Sequence, residues 1–377
     1  MYMIYADNAA TTKLDIEVFE AMKPYLLDQY ANASQPYSYA RTAKKALKEA
    51  REIIALSIGA KPEEIYFTSG GTESDNWAIK GTMLSPGERK EVITSEIEHH
   101  AVLNSVESIK NLGFSVRYLS VDSFGIVQPE TLRQTISSQS KLVSVMLSNN
   151  EVGTIEPIAE LTEIAHSQGA FFHTDAVQSI GHIPVDVKAL GIDMLSASAH
   201  KFNGPKGVGF LYVREGVRIL PFIDGGAQEY GKRAGTENVA SIVGMAAALE
   251  RSCSNIEYNA SYLNRLETLL LSILTEAKID YLRNGAALCV PGNISLSFKG
   301  ARDEMLLHRL DLMGICISTG SACDSKNTQI SHVLRAMNIP EGYAPGTIRV
   351  SLGKDNTEED VRKIGNALIK TLRSIQQ

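Results

Sequence analysis

Four cysteines in 377 residues are too few to build a covalent framework. Cys253, Cys289, Cys316 and Cys323 show no C-x-x-C spacing, which argues against a zinc knuckle and against a disulfide-stapled fold. Free cysteines mostly serve as small buried hydrophobes, and Cys316, inside Ile315-Cys316-Ile317, is expected to be structural. Long apolar runs are also missing. None approaches the ~20 residues needed to cross a bilayer. Met1 to Thr12 lacks the cationic start and apolar stretch of a signal peptide, so the chain reads as cytoplasmic. A strong charge of either sign is absent too. The net charge of -6 suits a soluble protein and leaves no basic footprint for nucleic acid. No repeat, low-complexity tract or long linker interrupts the chain.

An ordinary globular composition remains, 44% apolar and 21% charged, in a chain long enough for two cores. From about Glu63 to Val213, short apolar runs alternate with amphipathic stretches. The runs are Ile65-Tyr66-Phe67, Val92-Ile93, Val116 to Leu119, Leu142 to Leu147, Ala170-Phe171-Phe172 and Met194-Leu195. Helices are expected over Thr72–Met83, Ala101–Leu112, Pro129–Ser137 and Pro157–Ser167. Such alternation predicts an α/β fold with a mostly parallel sheet flanked by helices. The C-terminal part has longer helices, over Tyr258–Ala277, Asp303–Leu312 and Thr357–Ile375, with a strand at Asn293–Phe298. Thr357-x-x-Asp360 opens the last helix as a capping box. A smaller α+β domain is expected there, its boundary near Ser252–Tyr258.

Three apolar strands end in polar groups: Asn149 and Asn150, then Asp175, then Ser198, His200 and Lys201. Ligands of open α/β sheets bind beyond the carboxyl ends of strands, so neighbouring strands would gather these groups into one crevice. A partly desolvated lysine can form a Schiff base with an aldehyde cofactor. An aspartate can hold a pyridine nitrogen protonated. Ser69-Gly70-Gly71-Thr72, between strand and helix, offers backbone N–H groups to a phosphate. Each residue has a plainer reading: Lys201 as a surface charge, Asp175 as a helix cap, Gly70-Gly71 as a turn. Gly204-Pro205-Lys206-Gly207 reads as a tight turn, because it lacks phosphate-loop spacing. The ordered set is what points to a site.

The sequence resembles the cysteine desulfurases of the NifS-like or IscS-like group, fold-type I pyridoxal-phosphate enzymes within the class V aminotransferases. The matching stretches begin with Ala6 to Thr12, Phe67 to Asn76, Glu98-His99 and Asn149 to Gly153. They continue through Asp175 to Gln178, Ser198 to Lys201, Arg233 to Asn238, Ser318 to Cys323 and Ile348 to Gly353. They span almost the whole chain in family order. The resemblance implies a large domain over 16–257 with a seven-stranded sheet, and a small domain from 1–15 and 258–377. It implies that Lys201 carries pyridoxal 5′-phosphate, Asp175 pairs with the ring nitrogen and Gln178 reaches the ring hydroxyl. His99 is implied to stack on the ring and shuttle protons. Gly71, Thr72, Ser198 and His200 would hold the phosphate, with Thr236 arriving from the second subunit of a homodimer.

By the same resemblance Asn150 and Arg349 grip the carboxylate of L-cysteine, and Cys323, on a mobile loop with Asp324 to Gln329 downstream, takes the sulfur as a persulfide. An acceptor protein would receive it, an iron–sulfur scaffold or a thiolation enzyme among the candidates. Asp324 stands where the family often has Thr, and a carboxylate there disfavours the thiolate. A histidine common in the family near Asn32 to Ser38 is missing. The competing readings are an aminotransferase, which needs no nucleophilic cysteine, a selenocysteine lyase, and a silent scaffold, which has no reason to keep Lys201, Asp175, His99 and Cys323 together.

Overall fold

The computed structural model describes residues 3–319 and 330–375. Its largest sheet has seven strands, in the order Ile65–Thr68, Gly209–Val213, Met194–Ser198, Phe171–Asp175, Ser140–Ser144, Glu91–Ser95 and Ser115–Leu119. All pairings are parallel except those of Gly209–Val213, which runs against both neighbours. The central strands are buried along almost their whole length because both faces are covered. Consecutive residues of a strand point to opposite faces, and each finds a separate apolar layer. Val92, Leu142 and Met194 pack under the Gly71–Met83 and His100–Lys110 helices with Trp77, Ile79 and Val106. Ile93, Val143 and Leu195 pack on the other face with Ile54, Leu161, Met245 and Leu249. Those come from the Arg41–Ser57, Ile158–Ser167 and Val239–Ser254 helices. The outer strand, Ser115–Leu119, is mostly exposed, and Arg117 beside Glu91 at 2.7 Å puts charge on that edge.

A second core has its own sheet, ordered Ser318–Thr319, Thr347–Ser351, Asn293–Phe298 and Tyr281–Asn284, with every pair antiparallel. The Ile256–Glu276 and Glu358–Ile375 helices cover it, burying Leu263, Leu266, Leu270, Ile364 and Leu368. Ile4 and Ala6 belong to this core, and the short Ile4–Tyr5 strand pairs in parallel with Ile315–Cys316. We propose that the two cores correspond to domains of 16–257 and of 1–15 with 258–377. The expected capping box forms: Thr357 N–H donates to Asp360 Oδ2 at 2.9 Å, and Asp360 N–H donates to Thr357 Oγ1 at 3.2 Å.

One expectation is corrected. Cys253, Cys289 and Cys316 are each only partly buried. Strand alternation explains Cys316, since Ile315 and Ile317 take the core-facing positions and turn the thiol outward, beside Met3 Sδ at 3.4 Å.

Candidate active site

Met194–Ser198, Phe171–Asp175 and Ser140–Ser144 are consecutive neighbours in the large sheet. Their carboxyl ends open on a cavity of about 530 Å³ lined by Asn150, Asp175, Gln178, Ser198, His200 and Lys201. Gly70, Gly71 and Thr72 close it on one side, His99 on another, and Arg349 reaches it from the second core. Of the described residues singled out from sequence, Asn149 and Thr236 stand apart: Asn149 is buried, its Nδ2 donating to Ile97 O at 2.9 Å, and does not line the cavity. Thr236 is exposed and does not line the cavity. Cys323, with Asp324, lies outside the described residues.

Lys201 ends a single helical turn that follows the Met194–Ser198 strand. Its Nζ donates to the carbonyls of Ala9 at 2.5 Å and Ala10 at 3.0 Å. Those carbonyls belong to the N-terminal segment, which is fastened to the same turn by Thr12 N–H and Thr12 Oγ1, both donating to His200 O. Gln178 Nε2 also donates to Ala9 O, at 2.9 Å. His200 Nδ1 meets Thr11 Oγ1 at 3.1 Å, and burial together with the Lys201 and Lys206 charges pushes its pKa down to about 4. The ring is neutral at physiological pH.

Asp175 is buried, and its Oδ1 accepts the Val177 N–H at 2.9 Å. The cap-like bond expected of an aspartate is therefore made, although no helix follows. Burial raises its carboxyl, while His99, the Val177 N–H and Lys201 pull it back. His99 caps the His100–Lys110 helix by accepting the Ala101 N–H on Nδ1 at 3.1 Å. That bond places the proton of the neutral ring on Nε2. Burial lowers the His99 pKa, with Lys201 and His100 acting the same way against the opposing pull of Asp175.

One end of the cavity is built on glycine. Gly70 holds φ at 149°, which side-chain-bearing residues rarely adopt, and caps the Gly71–Met83 helix. A Cβ on Gly71 would lie 2.6 Å from Val177 Cγ2. The bare backbone thus lets a helix N-terminus open directly on the cavity. Lys206 and Gly207, expected only as a turn, line the same end.

Arg349 is buried on the Thr347–Ser351 strand. It donates through Nη1 to Asn150 O at 2.8 Å and through Nη2 to Asp7 Oδ1 at 2.8 Å, and its buried Nε has no hydrogen-bond partner.

The Aminotransferase class-V family model matches residues 4–364. The chain is 47% identical to the cysteine desulfurase IscS of Dictyoglomus turgidum, over 99% of this chain and 96% of that one. It is likewise 47% identical to the IscS of Methanosarcina thermophila, over 96% and 90%. The chain belongs to the cysteine desulfurase family. Among solved structures, a NifS-like protein superposes with a TM-score of 0.93 at 38% identity, over 99% of this chain and all of that one. SspA in complex with cysteine superposes with a TM-score of 0.83 at 36% identity, covering 94% of this chain and all of that one.

The family depends on pyridoxal 5′-phosphate, and the residues present fit it. The fit rests on an amine and a buried carboxyl in one cavity, together with a helix end cleared of side chains by Gly70 and Gly71. Sequence reasoning gave no role to Asp7, to the Ala9 and Ala10 carbonyls, or to Asp75. Asp7 and Asp75 were visible as charged residues inside matching stretches. The carbonyls were not, because backbone acceptors leave no mark on residue type. Among the described residues, no helix is long and apolar enough to cross a membrane.

Proposed function

We propose that this chain removes sulfur from L-cysteine to leave L-alanine, with Lys201 bearing the cofactor and Cys323 accepting the sulfur. The observation that carries the reading is that one cavity gathers Lys201, Asp175, His99 and Arg349 from four separate elements. When bound, pyridoxal phosphate supplies an electron sink for the pair released from the substrate Cα–H bond. Asp175 would supply the counter-charge to the ring nitrogen. Gly71, Thr72, Ser198 and His200 would hold the phosphate, and Gln178 the ring hydroxyl. Lys201 would take the Cα proton. His99, with its proton on Nε2, returns one. Asn150 and Arg349 hold the substrate carboxylate, for which the unpartnered Arg349 Nε is a spare donor.

The role proposed for Cys323 is supported by the described residues on either side of it in sequence. Ser318 lies opposite Arg349 in the antiparallel pair, so the chain enters the segment beyond Thr319 from beside the substrate site. On the other side, Ser331 donates to Glu151 Oε2 at 2.6 Å and His332 lines the cavity. The Cys323 thiolate attacks the substrate sulfur. The S–S bond forms as Cβ–S breaks, its electron pair stays with the carbon skeleton, and a proton completes alanine. Cysteine plus the Cys323 thiol thus become alanine plus a persulfide, which passes to an acceptor protein such as an iron–sulfur scaffold or a thiolation enzyme. We also place the enzyme in the cytoplasm as a homodimer, with Thr236 completing the phosphate site of the opposite subunit.

The test is a pair of variants. Lys201→Ala should lose the Schiff-base absorption of the purified holoenzyme. Cys323→Ala should keep that absorption yet release no alanine from L-cysteine; full activity in this variant sinks the proposal. Exchange of keto acids without sulfide release under reductant would instead favour an aminotransferase.

A further inference from the structure

A second buried carboxyl stands behind Asp175 and has no part in the scheme above. Asp75 lies one turn into the Gly71–Met83 helix, 1% exposed, at the floor of the cavity. One ligand atom each of Asp75, Asp175 and His99 falls within 4.8 Å of the other two. Asp75 Oδ1 has no hydrogen-bond partner and sits 3.6 Å from His173 Nε2. His173 is fully buried, with Nδ1 against Ser144 Oγ at 2.8 Å and Nε2 against Ser196 Oγ at 3.0 Å. The Ser196 hydroxyl also serves the Asp75 carboxyl.

Two carboxylates cannot both be charged at this separation in a buried site without a cation dedicated to each. The titratable and charged neighbours can be named. From the Phe171–Asp175 strand come Asp175 and His173, the latter pushed down to about 3 by burial and therefore neutral. Ahead of the His100–Lys110 helix come Glu98, which adds repulsion, and His99, which burial also holds toward neutrality. Lys201, after Met194–Ser198, bonds to Ala9 and Ala10. The flanking strands contribute the hydroxyls of Ser144 and Ser196, each against His173. A ring nitrogen cation arriving at Asp175 compensates one charge, not two. Burial and Asp175 both drive the Asp75 carboxyl well above the ordinary range, in agreement with the geometry.

We propose that Asp75 is a positioning residue: the neutral, proton-bearing member of a buried carboxyl pair, which leaves the single negative charge on Asp175 facing the cofactor nitrogen. The inference rests on the reading of Asp175 given above.

The experiment compares wild type, Asp75→Asn and Asp75→Ala as holoenzymes loaded with pyridoxal phosphate. The readouts are the infrared C=O band of protonated carboxyls, the pH midpoint of the visible absorption and the cofactor dissociation constant. Asparagine is neutral and of equal size. Asp75→Asn should therefore lose one carboxyl's worth of the band, hold the midpoint within about 0.3 pH unit and change cofactor affinity by less than about threefold. Asp75→Ala, which removes the polar group beside Asp175, should weaken cofactor binding by about tenfold or more. Asp75→Ser, neutral and smaller, gives the same infrared reading should the asparagine variant not accumulate. An unchanged carboxyl band in Asp75→Asn, a midpoint displaced by about a unit or more, or full affinity in Asp75→Ala each overturns the proposal. Asp175→Asn serves as the control. If that variant leaves the midpoint untouched, the assignment of Asp175 fails on its own, whatever Asp75 does.

Discussion

Glu98, the residue before His99, is a buried acid with a consequence for stability. Its Oε1 accepts from Ser95 Oγ at 2.7 Å and from Met146 N–H at 2.9 Å, while Oε2 has no partner. Burial raises its pKa from 4.5 to about 8. The folded chain therefore keeps a proton that the unfolded chain gives up above pH 4.5. Its contribution is fully present below that value and is lost as pH rises toward 8, at up to about 1.4 kcal/mol per pH unit. Glu98→Gln should match wild type in urea melts at pH 4.5 and exceed it by a few kcal/mol at pH 8.5. Equal stability of the two proteins at the higher pH would show that Glu98 ionises normally. At this scale the sequence exposed reactive side chains well: Lys201, Asp175, His99 and Arg349 all arrive at one cavity. It concealed Glu98 and Asp75, because neither burial nor a shared proton can be read from residue type. The pairing of Arg349 with Asp7 was hidden as well, since it joins the two ends of the chain.

Among the elements, the Glu358–Ile375 helix shows how a local signal survives folding. Thr357 and Asp360 satisfy each other's backbone donors, a choice that depends on four residues only. Thr357→Ala should cost about 1 kcal/mol in chemical denaturation, leaving the visible spectrum of the holoenzyme unchanged. A variant as stable as wild type would mean that tertiary packing alone holds this helix. Elsewhere, element type was legible and extent was not. The run Leu142 to Leu147 reads as one strand, yet the ladder ends at Ser144. Beyond it, Val145 and Leu147 donate to His173 O and Asp175 O, pairing with one neighbour as the chain passes beneath the site. Gly209–Val213 went unnamed among the expected strands. It follows a glycine-rich turn and runs against its neighbours, a direction that periodicity does not encode.

For the whole molecule, the two-core organisation followed from the change of helix length along the sequence, but the path of the first dozen residues did not. That segment starts in the second core through Ile4 and Ala6 and ends on the His200 carbonyl in the first. A chain lacking residues 1–12 should show no visible absorption with excess pyridoxal phosphate, because Lys201 loses both carbonyl partners and Arg349 loses Asp7. Far-ultraviolet circular dichroism should confirm that the large sheet persists; normal absorption in the truncated protein would make the segment dispensable. The parallel pairing of Ile4 with Ile315 also bears on synthesis. Ile4 is made long before Ile315, so this pairing forms only after every strand of the large sheet has been synthesised.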